Sequence, residues 1–382
     1  MAWATLALVE AERSLGIIRE TGWTFMTAGQ AQQDRQTTEH LVRPDVVGPR
    51  IAAATGENAW RDFTAELVAG GKSNLTFTLT SAAGQQLILR RPPTGKLLPS
   101  AHDMGREARI QQGLADTGVP VATVIVNETT GEDLGVPYYV MEKVEGHIIR
   151  DELPAGYATT ADQKQAMADE LIDVMVELHA VEPAAVGLGD LGKTEGYLER
   201  QLRRWLGQSE KANDSVRTDR LPELAHRLGQ SIPTSPPARI VHGDYRMDNC
   251  VFDAENPGRI KAVLDWELST LGDPIADLAL SVLYWGDPDG ATMPLIPNIS
   301  RSSQWPGPDH LIERYCSATG TDASQMPWYL AFSAFKFAAI AQGVATRADA
   351  GDMAGQSFGN IAGQIVEIVE YGHTKLDRLQ GA

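Results

Sequence analysis

Residues 239–276 read RIVHGDYRMDNCVFDAENPGRIKAVLDWELSTLGDPIA. Three short apolar runs, Arg239–Val241, Cys250–Phe252 and Ile260–Leu264, have strand length, 3 to 5 residues each. Polar loops join them, His242 to Asn249 and then Asp253 to Arg259, with Asn256-Pro257-Gly258 as the turn. The polar residues at the strand ends are mostly acceptors: Asp244, Asn249 and Asp265. An Asp and an Asn five residues apart, then a second Asp closing the next strand, suit one task. One carboxylate can receive a hydroxyl proton while the Asn and the second Asp hold Mg²⁺ against nucleotide phosphates.

The rest of the composition bounds the partners. The chain of 382 residues is long enough for two lobes, and 43% apolar with 22% charged residues is ordinary for a soluble globular protein. Lys and Arg number 33 against 50 Asp and Glu, so the net charge is −17. That argues against nucleic acid, whose phosphates need a basic face. It fits a cationic substrate or a metal–nucleotide, although acidic balance is also common in soluble proteins generally. The two cysteines, Cys250 in an expected strand and Cys316 in an expected helix, form no disulfide or zinc pattern. A reducing, cytoplasmic setting is expected. No apolar run of 18 residues is present, so no membrane span is expected, and the first residues lack the basic segment of a signal peptide. Nothing in the sequence sets the oligomeric state.

His242-Gly243-Asp244, four residues, then Asn249 resembles H-G-D-x-x-x-x-N, the catalytic loop of the aminoglycoside phosphotransferases and their choline kinase-like and protein-kinase-like relatives. Asp265-Trp266-Glu267 with Gly272-Asp273-Pro274 resembles their second metal motif, 16 residues after Asn249. A lone HGD would be weak; two motifs in order with a hairpin between them are specific. The resemblance, over roughly residues 60–370, implies a bilobal kinase-like α+β fold. A small lobe of about five antiparallel strands and one helix, residues 41–145, would bind ATP or GTP. A mainly helical lobe, residues 146–382, would carry the catalytic hairpin and the acceptor. The implied reaction moves the γ-phosphoryl group to a hydroxyl of a small molecule. Asp244 would be the base, Asn249 and Asp265 the Mg²⁺ ligands, His242 a loop-shaping residue and Asp277 a brace of the loop.

Upstream, Phe63–Ala69, Leu75–Thr80 and Gln86–Arg90 read as three antiparallel strands. The turn Gly70-Gly71-Lys72-Ser73-Asn74 resembles a phosphate-covering loop, with Gly71, Ser73 and Asn74 near the phosphates. It is not a P-loop, because Glu66 stands where the first Gly is required and a strand follows where a helix is needed. By alternation Ile88 and Arg90 share one face, which puts Arg90 at the family's phosphate-contacting Lys position and turns Arg91 away. Glu107, on a helix expected over Asp103–Ala115, is its implied ion-pair partner, with Arg106 and Arg109 facing solvent. Arg at this position, in Leu89-Arg90-Arg91-Pro92-Pro93, resembles the branch fused to some acyl-CoA dehydrogenases. In the implied hinge, backbone groups near Glu142 and Val144 would bond the adenine edge between walls of Met141 and Ile88.

Residues 1–40 lie outside the resemblance and read as an extension, helical over Ala7–Glu20 and polar, linker-like or disordered over Thr27–His40; residues 46–55 suggest a short helix. Downstream, helices are expected over Thr160–Val181, Thr194–Leu206, Leu221–Leu228, Pro274–Trp285, Asp309–Cys316, Met326–Ala348 and Ser357–Leu379. Gln208–Arg220 is expected to loop out, and His179 to complement the dipole at a helix C-terminus. Lys336–Arg347 also resembles the dehydrogenase-associated branch. Two other readings compete with a small-molecule kinase: a non-catalytic, nucleotide-binding pseudokinase, supported by Arg90 in place of Lys, and an ATP-independent hydrolase, for which no G-x-S-x-G motif is present.

Overall fold

A computed structural model of the protein describes residues 38–68, 74–93, 103–286, 296–302, 304–349 and 360–380. The small lobe is a five-stranded antiparallel sheet: β1 (Phe63–Leu67), β2 (Leu75–Ser81), β3 (Gln86–Arg91), β4 (Val124–Glu128) and β5 (Tyr138–Glu142), in the order β1-β2-β3-β5-β4. Alternation along β3 decides which helix covers which face. Leu87 and Leu89 join Phe77, Leu79, Val140 and Tyr138 in a core closed by Val47 and Ile51 of α1 (Pro44–Thr55). Ile88 turns to the opposite face, where Met141, Tyr139 and Val124 meet Met104 and Ala108 of α2 (Met104–Leu114). The lobe therefore has a helix on each face: α1, where residues 46–55 suggested one, and α2, where Asp103–Ala115 did. Asp103 caps α2 by accepting from the Arg106 amide at 3.0 Å.

The far end of α2 leaves the small lobe. Ile110 and Leu114 belong to the core of the large lobe, so this helix is shared. Arg106, expected in solvent, is half-buried and donates to the carbonyls of Leu191 (2.7 Å) and Ser269 (2.8 Å). Both carbonyls are in the large lobe. Arg109 is exposed, as expected.

The large lobe comprises α3 (Ala161–Ala180), α4 (Tyr197–Ser209), α5 (Arg220–Gln230), α6 (Pro274–Trp285), α7 (Pro308–Thr319), α8 (Met326–Asp349) and α9 (Ile361–Gln380). Local signals set their starts: Thr160 and Gln163 form a capping box on α3, and Asp273 caps α6 ahead of Pro274. The aromatic run of α8 is core as expected; Trp328, Phe332, Phe335 and Phe337 are all buried. Gln208–Arg220 does not loop out. Val216 is buried against the helical core, and the Asn213 amide donates to Thr346 at 3.0 Å. Two small ladders hold the catalytic region: β6 (Arg239–Val241) pairs with β9 (Thr270–Gly272), and β7 (Cys250–Phe252) with β8 (Ile260–Val263), all antiparallel. Cys250 and Cys316 are free thiols. Among the described residues no helix is long and apolar enough to cross a membrane. Residues 38–42 are helical, which trims the expected linker; residues 1–37 lie outside the described residues.

Candidate active site

The loop from His242 to Asn249 joins β6 to β7, and its backbone groups are bound one by one. Asp277, in the first turn of α6, accepts from the amides of His242 (2.7 Å) and Gly243 (2.8 Å). The Gly243 carbonyl accepts from Lys336 Nζ at 3.0 Å. The Asp244 amide donates to His242 Nδ1 at 3.3 Å, and the Asp244 carbonyl accepts from Asn249 Nδ2 at 2.8 Å. Ser281 Oγ donates to the Tyr245 carbonyl at 2.7 Å. Gly243 has φ +83°, and a Cβ there would meet the Leu268 carbonyl oxygen at 2.8 Å. Only glycine fits this turn. The His242 ring is buried against Tyr245 and Trp266, and its Nε2 donates to the Leu264 carbonyl at 2.9 Å, so it shapes the loop.

Asp277 is the brace the sequence implied, with a partner it did not. Burial raises the Asp277 pKa, but the hydrogen bonds from His179 and the Gly243 amide outweigh it. The carboxyl is held below the usual range. His179 faces Asp277 through Nε2 (3.3 Å) and Tyr315 Oη through Nδ1 (2.8 Å). His179 does stand in the last turn of α3, as expected; its ring is in addition buried against the Asp277 carboxylate.

Asp244 presents a side chain 20% exposed at the cleft. Its Oδ2 accepts from Asn249 Nδ2 at 3.2 Å and lies 3.4 Å from Arg246 Nε. Arg246 is also 3.3 Å from Asp248 and lies over the Tyr284 ring, 5.8 Å from its centroid. Burial disfavours the Arg246 charge, yet Asp244 and Asp248 more than restore it. Burial likewise pushes Asp248 up, with Arg246 pulling it down. The Asn249 carbonyl accepts from the Leu264 amide at 2.8 Å, which brings the end of β8 beside the loop and delivers Asp265. Asp265 adopts φ 64°, ψ 60°, a left-handed backbone that Asp tolerates better than most side chains.

On the small-lobe side, Arg90 Nη2 donates to Asp265 Oδ1 at 3.2 Å while Nη1 lies 3.4 Å from Glu107 Oε2. The expected pair is formed, and Arg91 is turned away onto the Leu41 carbonyl at 2.6 Å. Glu107 is 1% exposed and also accepts from Tyr139 Oη and Asn74 Nδ2, both at 3.0 Å. Burial pushes its pKa up to about 7, with Arg90 opposing. Asn74 Nδ2 lies 3.3 Å from Glu267 Oε2 as well, so it bridges two carboxylates across the lobes. Gly71 and Ser73, expected near phosphates, lie outside the described residues. Met141, Ile88 and Val144 lie in one apolar cluster. The Glu142 amide, however, donates to the Thr123 carbonyl at 2.8 Å and is not available to an adenine edge.

The donor set suits Mg²⁺. Asn249 spends its N–H on Asp244, which leaves a carbonyl oxygen, and Asp265 adds a carboxylate. Such hard oxygens together with substrate phosphates are what Mg²⁺ takes. Arg246, Tyr284 and Lys336 were not assigned to the site from sequence. A signal for Lys336 existed: it is the only charged residue in the run Trp328–Ala341.

Comparison with known proteins agrees with this fold. A model of the phosphotransferase enzyme family, abbreviated APH, matches residues 64–323. Acyl-CoA dehydrogenase family member 10 of Mus musculus is 35% identical over 305 residues, which is 78% of this chain but only 28% of that protein. A solved structure from Ralstonia eutropha JMP134, provisionally designated an aminoglycoside phosphotransferase, has 31% identity and a TM-score of 0.69, covering 83% of this chain and 93% of that one. The GDP and kanamycin complex of APH(2″)-IIIa, at 15% identity and a TM-score of 0.55 over 81% of this chain and 93% of that one, shares the fold. With its bilobal α+β fold and its matched motifs, the chain belongs to the aminoglycoside phosphotransferase family of kinase-like phosphotransferases.

Proposed function

We propose that this protein transfers the γ-phosphoryl group of ATP to a hydroxyl of a small-molecule acceptor, with Asp244 as the base and Asn249 and Asp265 as the metal ligands. The observation that carries this is the intact linkage of the three: Asn249 bonds Asp244 through its side chain and fixes the strand end before Asp265 through its carbonyl. Asp244 orients the acceptor hydroxyl and takes its proton as that oxygen attacks the γ-phosphorus; the bond from phosphorus to the β–γ bridging oxygen breaks, and ADP leaves. Arg90, positioned by Glu107, contacts phosphate oxygens. Asn249 and Asp265 would hold Mg²⁺, which would supply neutralisation of the charge that develops on the phosphates. That APH(2″)-IIIa, of the same fold, forms a complex with GDP supports nucleotide use by this chain. The free thiols Cys250 and Cys316 support a cytoplasmic setting.

The likeness of Leu89–Pro93 and Lys336–Arg347 to the dehydrogenase-associated branch favours a hydroxyacyl thioester over an aminoglycoside as the acceptor. The match to part of an acyl-CoA dehydrogenase family protein points the same way. A second reading, a non-catalytic nucleotide-binding pseudokinase, is favoured by Arg90 engaging Asp265 directly.

The test is purified protein with labelled ATP and Mg²⁺ against hydroxyacyl-CoA thioesters, aminoglycosides, choline-like amino alcohols and sugars. Phosphorylation of the thioester class is expected. Mg-ATP binding without transfer to any class would favour the second reading, and absence of nucleotide binding would overturn both.

A further inference from the structure

Lys336 stands apart from the other charges in the large lobe. It lies in the middle of α8, where neighbours from Trp328 to Ala341 are core residues, and it is itself 7% exposed. Its Nζ donates to the Gly243 carbonyl at 3.0 Å and sits 5.9 Å from the centroid of Trp205. Burial lowers the pKa of this ammonium, with Asp277 and Asp244 opposing and Arg204 adding to the fall. A buried amine that served packing alone would be replaced at no loss by an apolar side chain. This one is aimed at a single backbone oxygen.

That oxygen belongs to the peptide unit between Gly243 and Asp244. The other end of the same unit, the Asp244 amide, donates to His242 Nδ1 at 3.3 Å. One residue earlier, the Gly243 amide meets the Asp277 carboxylate. Gly243 is thus clamped between a buried anion at its N–H and a buried cation at its C=O, each aligned with the local dipole. Because its φ of +83° is open to rotation in a way other residues are not, the plane that carries Asp244 needs an external hold.

We infer that Lys336 is a positioning residue: its ammonium fixes the Gly243–Asp244 peptide plane and thereby the direction of the Asp244 carboxylate. The role in catalysis rests on the function proposed above; the hold on the loop does not. Two readouts separate them. Backbone amide exchange over residues 242–246, followed by mass spectrometry, needs no acceptor. Lys336→Met should accelerate it by about tenfold, the effect of losing one hydrogen bond, with the β2–β3 peptides unchanged. Lys336→Arg, which keeps a donor and a charge, should restore much of the protection. In turnover, Lys336→Met should lower kcat by up to about 100-fold, as for a misplaced catalytic group, and leave the ATP KM near that of the parent, with Lys336→Arg recovering part of the rate.

Unchanged exchange and unchanged kcat in Lys336→Met would overturn the inference. So would exchange rising throughout the large lobe, or kcat and ATP affinity falling together, since either assigns Lys336 to general packing. If Lys336→Met does not fold, Lys336→Gln is read by the same two measures. A parent enzyme that phosphorylates none of the acceptor classes would refute the proposed function, while the exchange result still decides whether Lys336 holds the loop.

Discussion

The two sides of the cleft are built differently. On the large-lobe side, the backbone of residues 242–245 is held by Asp277, Lys336, His242, Asn249 and Ser281, most of them buried. On the small-lobe side, Arg90, Glu107 and Asn74 are held by side chains, and two of these contacts, Arg90 to Asp265 and Asn74 to Glu267, cross to the other lobe. A carboxylate that holds backbone amides cannot be released without leaving buried donors unsatisfied. The Arg90–Asp265 pair is different: Asp265 is 35% exposed, so it can turn to a cation while Arg90 takes a phosphate and keeps Glu107. The large lobe thus carries a preformed chemical loop, and the small lobe carries contacts suited to exchange with a nucleotide.

The contrast can be broken at its extremes. The largest effect is expected for Asp265→Ala, which removes the residue both sides share. Turnover should fall by about three orders of magnitude or more, and nucleotide binding should lose its dependence on magnesium. Calorimetric titration of ATP with and without Mg²⁺ checks this, and an unaltered magnesium dependence would remove Asp265 from the metal site. Asp244→Asn keeps the shape and removes the charge. Its kcat should drop by about 10²- to 10⁴-fold with ATP affinity near that of the parent. A loss of ATP binding as severe as that of Asp265→Ala would contradict the role of base.

Asp277→Asn probes the preformed side through stability. One anionic acceptor for two amides and an imidazole becomes a neutral amide, at a cost of about 2–3 kcal/mol in urea unfolding. The pH dependence has a definite sign. The folded pKa of Asp277 lies below its unfolded value, so its contribution is present above the unfolded pKa, near about 4, and is lost as pH falls through the folded value. Acid unfolding curves for the parent should therefore carry a component below about pH 4 that is absent from Asp277→Asn. Identical acid limbs would show that Asp277 is not the anion holding the loop.

Smaller effects are expected on the exchangeable side. Truncating Arg90 or Glu107 should weaken ATP binding, and the double variant should cost less than the sum by about 1 kcal/mol or more. Additive losses would mean the pair is not coupled. Arg106→Ala removes the half-buried link from α2 to the Leu191 and Ser269 carbonyls, worth about 1 kcal/mol of stability. If it shifts ATP affinity and leaves stability unchanged, the link governs cleft closure instead.

Much of this site is legible in the amino-acid sequence because its chemistry is local along the chain. Asp244, Asn249 and Asp265 lie close along the chain, in the connections on either side of the β7–β8 hairpin, and strand alternation alone separates Arg90 from Arg91. The contacts that are not legible are of two kinds. Lys336 reaches Gly243 across 93 residues, and Asn74 reaches Glu267 across 193, distances over which no periodicity constrains a pair. His179 is placed in the last turn of α3 by a local rule that says nothing of its contact with Asp277, and the solvent-facing reading of Arg106 is overridden by tertiary burial. The occupied Glu142 amide belongs to the same class, because its partner, the Thr123 carbonyl, comes from the neighbouring strand connection.

The sequence by itself determined the order of strands and helices, the acceptor-rich hairpin and the family, because turns, caps, alternation and motif spacing act over a few residues. Only the tertiary structure decided which charges meet across the chain: Lys336 on the Gly243 carbonyl, His179 on Asp277, and Arg90 on Asp265 as well as Glu107. The reason is physical. A buried polar group must find a partner wherever packing brings one, and packing is set by the apolar faces of α6 and α8, on which the charges themselves are a small minority.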